Sequence, residues 1–326
     1  MIRSIINRIK EKRRLNISRS IIKSGDKEKA DLLIIDKFFP DTSYPWRTLE
    51  FNSLLTKFQK SRILCEASNY KGITSKEEFE KQIETLFQYY KPTYSKNKLE
   101  YSNANIWEYN LNSKLVYFLF YEDAVRFFPY LRYNNIEFAF TLYPGGGFLL
   151  YNEQVDQNLK AIIQCDLCKV CFVNMPSTYK YLTQHLNLNN NKIKLVYGVP
   201  LDIKEEIARK KDSSNKMTIG FCARKYHKRG IDKGFDIFIE IANHYKTNQN
   251  IQFVCIGDFS TDDLYENEKD INIDFKGLLA SNQLENEFRS WDIIISPVRA
   301  YTNQGDFDGF PTAAVVEASL YGNTMV

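Results

Sequence analysis

Short apolar segments alternate with amphipathic ones along this 326-residue chain. That alternation restricts the fold more than any other feature of the sequence. Asp31–Asp36, Arg62–Cys65, Leu115–Phe120, Ile136–Leu142, 169–173 and Ile193–Tyr197 read as strands. Between them Trp46–Phe58, 75–90, 122–133, 153–163 and a segment from Ser177 read as helices, while the polar stretch 70–113 otherwise shows no obvious chemistry. Gly198, Pro200 and the polar run Lys204–Lys216 mark a linker, after which the alternation restarts. Strands are expected at 217–222, 251–256, 273–275 and 293–296, with helices at 234–246 and 281–289. Strands that alternate with helices build parallel sheets covered on both faces, because a parallel crossover needs about the length of a helix. The expected fold class is therefore α/β, in two domains with a cleft between them facing the strand C-terminal ends. The boundaries are a basic leader at 1–30, a first domain at 31–199, a linker at 200–216 and a second domain at 217–326.

The stretch Thr218–Phe235, TIGFCARKYHKRGIDKGF, joins an apolar strand to a basic loop and then to an apolar helix. Unpaired N–H groups and a partial positive charge at a helix start suit a phosphate. Arg224 would add a planar fork matched to phosphate oxygens, and Lys233 a mobile point charge. The alternative is that these are solvated cations beside an ordinary strand.

A second loop of interest is Tyr143-Pro144-Gly145-Gly146-Gly147-Phe148, at the end of the strand Ile136–Leu142. Gly145, Gly146 and Gly147 permit positive φ and close approach by a ligand, and strand ends are where open α/β sheets bind ligands. A flexible turn is the plainer alternative. The spacing Cys165-x2-Cys168-x2-Cys171 invites a metal reading. However, a fourth ligand is missing nearby, and a strand through 169–173 would turn alternate side chains apart. No metal site is expected.

Charge is unevenly placed. Residues 1–30 hold ten Lys/Arg against three acids, a net +7, so the remainder of this +4 chain carries −3. The body is not a nucleic-acid binder by charge. In the leader, Ile2, Ile5, Ile6 and Ile9 recur at helical spacing among the cations, which suits contact with anionic lipid; a solvated leader helix is the alternative. The longest apolar runs fall far short of the roughly 20 residues a spanning helix needs, and the basic N-terminus lacks the apolar core of a signal peptide. Unpaired thiols and no export signal point to the cytoplasm, with peripheral contact at the inner membrane face.

With these residues in view, ARKYHKRGIDKGF, VCIGDF, FKGLL, WDIIISP and DGFPTAAVVEAS, in that order, resemble the C-terminal half of retaining GT-B glycosyltransferases of family four, also called "group one". FAFTLYPGGGF and KIKLVYGVP resemble the acceptor-side domain of those enzymes. The resemblance runs from about Leu32 to the C-terminus and is strongest over 217–322. It implies two Rossmann-like domains, a nucleoside diphosphate sugar held mainly by the second, and transfer of a hexosyl group to a glycan or lipid-linked glycan in polysaccharide biosynthesis. It also implies retention of configuration, no cofactor and no metal. Arg224 and Lys233 match the pair that holds the donor diphosphate, where they would neutralise charge on the leaving group. Glu317 matches the family's ribose-facing glutamate. Asp308, Gly309, Phe310, Pro311 and Thr312 would form the loop against sugar and phosphate, and Gly277 and Leu278 would sit beside the base. Tyr143 and Gly145–Gly147 fall on the acceptor side.

Three departures stand out. The family's earlier glutamate would fall at Gly309, with an acid only one position before it, Asp308. Position 143 is Tyr where many relatives carry His. The chain stops at Val326 where relatives continue, so the second domain is expected to be truncated at its C-terminus. Two alternatives follow. One is a GT-A type transferase holding Mn²⁺ or Mg²⁺ on Asp306 and Asp308, against which the two-domain alternation argues. The other is a non-catalytic truncated relative that binds a nucleotide or a partner protein.

Overall fold

The computed structural model describes residues 2–23, 28–42, 44–68, 72–201, 216–302, 305–309 and 311–326. Phe310 and most of the expected linker at 200–216 lie outside the described residues. The chain divides into two compact units, the first taking residues up to 42 and 47–197, the second taking 198–326 together with the short segment 43–46.

The first unit opens with helix α1 (Ile2–Lys23), then runs β1 (Ala30–Asp36), α2 (Pro45–Lys57), β2 (Ser61–Glu66), α3 (Lys76–Tyr90), β3 (Leu99–Ser102), β4 (Ser113–Phe118), α4 (Tyr121–Asn134), β5 (Glu137–Leu142), α5 (Glu153–Gln164), β6 (Cys168–Val173), α6 (Pro176–Lys180) and β7 (Ile193–Leu195). The seven strands form one sheet in the order β3-β2-β1-β4-β5-β6-β7, and every neighbouring pair is parallel. β1 sits centrally, with Leu33, Ile34 and Ile35 fully buried, as an apolar run covered on both faces must be. Polar caps set helix starts: the Ser75 hydroxyl accepts from Glu78 N–H at 3.1 Å, and Asn152 Oδ1 from Val155 N–H at 3.1 Å, satisfying donors the helix cannot.

The sequence expectation leaves out β3. It lies in the polar stretch 70–113, at the sheet edge, with only Leu99 of its four residues buried. A strand with one buried side chain carries no periodic signal. β7 stops at Leu195 rather than Tyr197, and α6 passes at Tyr181 into a wider π-type turn.

The second unit contains β8 (Met217–Cys222), α7 (Phe235–His244), β9 (Ile251–Ile256), β10 (Ile273–Gly277), α8 (Ser281–Ser290), β11 (Ile293–Ile294), α9 (Ala313–Leu320) and β12 (Thr324–Met325). Its sheet order is β10-β9-β8-β11-β12, parallel throughout. One core packs Phe221, Phe235, Phe238 and Phe259 together. A second gathers Phe288, Trp291, Ile294, Val315, Ala318 and Tyr321. The two cores close around β8, where a Cβ on Gly220 would fall 2.0 Å from the Trp291 ring. In both sheets the connections reverse direction beside a central strand, at β1/β4 and at β8/β11. In open α/β sheets such a reversal leaves a crevice outside the carboxyl ends of the strands. Among the described residues, no helix is long and apolar enough to cross a membrane.

Candidate anion site at the β8/β11 crevice

The loop leaving β8 carries Arg224, Lys225, His227, Lys228, Arg229 and Lys233 before α7 begins, and the structure gives these basic side chains different surroundings. The Lys225 N–H donates to Asp258 Oδ1 at 2.6 Å, and its ammonium to both Asp263 oxygens at 2.7 and 2.8 Å. Arg229 donates through Nε to the Asp263 carbonyl at 2.7 Å and pairs with Glu268 at 2.7 Å. Its guanidinium lies 3.5 Å from the centroid of the Tyr265 ring. These two side chains fasten the loop to the segment after β9. Arg224, whose side chain is 30% exposed, makes a looser approach, with Nε 3.9 Å from Asp258 Oδ2.

Lys233 is not a solvated surface cation: its side chain is only 11% exposed. The ammonium donates to Asp308 Oδ2 and lies 3.9 Å from Asp232 Oδ2 and 4.8 Å from the centroid of the Tyr226 ring. Gly234, the next residue, has φ +72° and packs so closely on the Pro297 carbonyl that a Cβ would fall 2.0 Å from that oxygen. It caps α7, so Lys233 is held at the start of that helix.

Across the crevice, the loop between β11 and α9 supplies the acids. Asp306 Oδ2 lies 3.2 Å from His227 Nε2 and accepts from the Thr302 hydroxyl at 3.1 Å. Asp308 Oδ1 accepts from Gly309 N–H at 2.9 Å. Arg299 pairs with Asp236 at 2.7 Å and donates its N–H to the Asp232 carbonyl at 3.0 Å. Asp306 and Asp308 thus each have a cationic or basic neighbour. Among the described residues, no group of three or more His, Cys, Asp or Glu is gathered as a metal site. Cys168 and Cys171 are buried free thiols in β6 and Cys165 is half-buried.

Thr312 precedes α9, and its hydroxyl lies 3.3 Å from that of Ser296 instead of capping the helix. Glu317 sits in the middle of α9, not at its start. Its charge is felt at the end of β8: burial first, and then Glu317, push the Cys222 thiol up to about 12. Gly277 closes β10, where its carbonyl accepts from Gly257 N–H at 2.9 Å. It has φ +68° with open space beside its α-carbon, and Leu278 next to it is 56% exposed. Of the sequence-predicted residues, Gly277 ends β10, and Arg224, Lys233, Leu278, Asp308, Gly309, Pro311, Thr312 and Glu317 belong to the loops and the helix beyond the strand ends of this one sheet. Sequence reasoning missed Asp258, His227 and the loop pairings. His227–Asp306 and Lys233–Asp308 join residues 79 and 75 positions apart, which no local pattern reveals.

In the first unit, Gly145, Gly146 and Gly147 all have positive φ, +87°, +55° and +79°, and a Cβ on Gly146 would strike the Phe120 ring at 2.6 Å. The glycine run therefore makes a tight turn on Phe120, closed by Phe148 N–H to the Gly145 carbonyl at 3.1 Å. Tyr143 is buried, and its hydroxyl donates to Glu50 Oε2 at 3.1 Å; the Tyr117 hydroxyl donates to Glu50 Oε1. Glu50, on α2, was not anticipated. Burial raises its carboxyl, against the two tyrosine hydrogen bonds and Arg47, which lower it.

No family model and no curated protein matches the sequence. Solved structures do match it. Anabaena HepE in complex with UDP-glucose aligns over 90% of this chain and 79% of its own, at 14% identity and a TM-score of 0.58. A glycosyltransferase from Rickettsia africae aligns over 92% and 79%, at 12% identity and a TM-score of 0.59. A trehalose-6-phosphate protein from E. coli bound with UDP-2-fluoro glucose aligns over 89% and 81%, at 10% identity and a TM-score of 0.52. At these identities the likeness is one of fold, and the fold is GT-B, with two Rossmann-like domains.

Proposed function

We propose that this chain is a glycosyltransferase that moves a hexosyl group from a nucleoside diphosphate sugar to a hydroxyl of a glycan or lipid-linked glycan. In this reading it works with retention of configuration and without a metal, in the manner of family four. One observation carries it: Lys233, nearly buried at the start of α7, and Arg224, at the end of β8, stand beyond the carboxyl edge where the sheet reverses. The UDP-glucose and UDP-2-fluoro glucose named with the structural neighbours support the donor class. As the anomeric bond breaks, negative charge grows on the departing diphosphate. A fixed ammonium and guanidinium stabilise that charge more than they stabilise the intact donor, and such preorganised contacts are usually the largest catalytic term. Glu317, a carboxylate near the end of β8, suits the vicinal hydroxyls of a ribose. Tyr143 and the Gly145–Gly147 turn form the acceptor side, and α1 makes peripheral contact with anionic lipid.

The test is the double substitution Arg224→Ala, Lys233→Ala, with UDP, GDP and ADP and their sugars as ligands. Affinity for the bound nucleotide should fall and become less sensitive to salt. Turnover should fall by about two orders of magnitude or more. Unchanged nucleotide affinity would remove the basis for the assignment.

A further inference from the structure

Lys233 is the proposed diphosphate cation, yet its ammonium already has an anionic partner. Asp308 accepts directly from it, while Asp232, the other nearby acid, stands off at 3.9 Å. The two acids are held differently. Asp232 is a buried residue whose carboxylate also accepts from His227 N–H at 3.3 Å and whose carbonyl accepts from Arg299 N–H. Asp308 lies in the irregular loop between β11 and α9, its side chain 32% exposed. Its only other hydrogen bond among the described residues is from the N–H of Gly309, next to it in the chain. The loop itself is fastened elsewhere, through Asp306 to His227 and Thr302 and through Arg299 to Asp236. Asp308 can therefore leave Lys233 by a side-chain rotation, without releasing the loop.

We propose that Asp308, which the family resemblance already sets against the donor sugar, is a resident counter-ion that the diphosphate of the donor displaces from Lys233. This rests on the reading of Lys233 given under Proposed function. A diphosphate carries more charge than one carboxylate, so it wins the exchange. The displaced carboxylate has then lost its charged partner on Oδ2, and new donors to that oxygen stabilise a half-buried anion. Sugar hydroxyls supply them and inorganic pyrophosphate does not. Asp308 thereby makes the site discriminate a loaded donor from a diphosphate that carries no sugar, a class that includes the nucleoside diphosphate released by the proposed reaction. The exchange moves ions and hydrogen bonds only; no covalent bond changes.

The experiment measures calorimetric affinity of the full chain for inorganic pyrophosphate and for UDP-glucose, GDP-mannose and ADP-glucose, in wild type, Asp308→Asn, Asp308→Ser and Lys233→Ala. Asn keeps the acceptor for Gly309 N–H, and two different replacements guard against a local folding defect in either one. Both Asp308 variants should bind pyrophosphate about fivefold more tightly than wild type, the scale of a half-exposed ion pair no longer in competition. The preference for the accepted nucleotide sugar over pyrophosphate should shrink. Lys233→Ala should weaken pyrophosphate binding. If pyrophosphate binds the two Asp308 variants no more tightly than wild type while Lys233→Ala still loses it, the exchange is wrong and the anion site stands. If Lys233→Ala leaves pyrophosphate affinity unchanged, both are wrong.

Discussion

At the scale of single residues, Glu50 is the acid whose behaviour the structure defines best. Burial raises its carboxyl from the ordinary glutamate value, although hydrogen bonds from Tyr117 and Tyr143 and the charge of Arg47 pull the other way and Asp36 adds to the rise. The folded protein thus holds this proton more tightly than the unfolded chain. Its contribution to stability is present below the ordinary carboxylate pKa and is lost as pH rises through the raised value. Glu50→Gln removes the charge and keeps the shape. Urea titrations should show the variant more stable than wild type at neutral pH, with the difference closing as pH falls to about 4, near the reference glutamate value. A difference independent of pH would refute the assignment. Nothing in the local sequence marks Glu50, since an acid on an amphipathic helix looks like a solvated one. Arg224 and Lys233 stood out as candidates because cations at a strand-to-helix junction have a known chemical use. Asp308 stood out too, as a group against the donor; its pairing with Lys233, and the approach of Asp258 to Arg224, come by folding alone.

At the scale of elements, the junction between the β8 loop and α7 is the most exacting. Gly234 combines a left-handed backbone with an α-carbon pressed on the Pro297 carbonyl. Gly234→Ala should therefore destabilise the protein by about 2–3 kcal/mol, from strained φ and from overpacking against backbone that cannot yield. It should also weaken nucleotide binding by shifting Lys233. Chemical denaturation and a nucleotide titration of the same variant check both effects, and wild-type values in each would contradict this packing. The elements themselves were largely legible. β8 and β9 fall at the expected 217–222 and 251–256, because runs buried on both faces leave few places to stop. β3 was not, as an edge strand buries too little to leave a pattern. β11, expected over 293–296, is two residues long; Ile295 and Ser296 N–H still donate to the Gly220 and Val326 carbonyls, and Pro297, with no N–H, cannot continue the ladder.

At the scale of the whole molecule, the charge is segregated. The net +7 of residues 1–30 outweighs the −3 of everything after them. α1 is fastened near its C-terminal end, where Asn134 Nδ2 donates to the buried Ser18 hydroxyl at 3.0 Å and Arg19 donates to the Tyr133 carbonyl at 3.1 Å. Lys12, Arg13 and Arg14 are exposed. The full chain should co-sediment with vesicles containing phosphatidylglycerol and stay in solution with phosphatidylcholine alone. Replacing Lys12, Arg13 and Arg14 by Gln should reduce binding by at least tenfold, given about 1 kcal/mol per cation near an anionic surface. Equal binding to both vesicle types would count against a lipid-facing role for α1.

The wide spacing of the Lys233–Asp308 pair, 75 residues, also has a consequence in time. A ribosome adding about 5–20 residues per second makes the lysine roughly 4–15 seconds before the aspartate. Lys225 and Arg229 gain their acids only 38 and 39 residues on, in about half that time, so the Lys233 ammonium stays open to a polyanion for longer than its neighbours do.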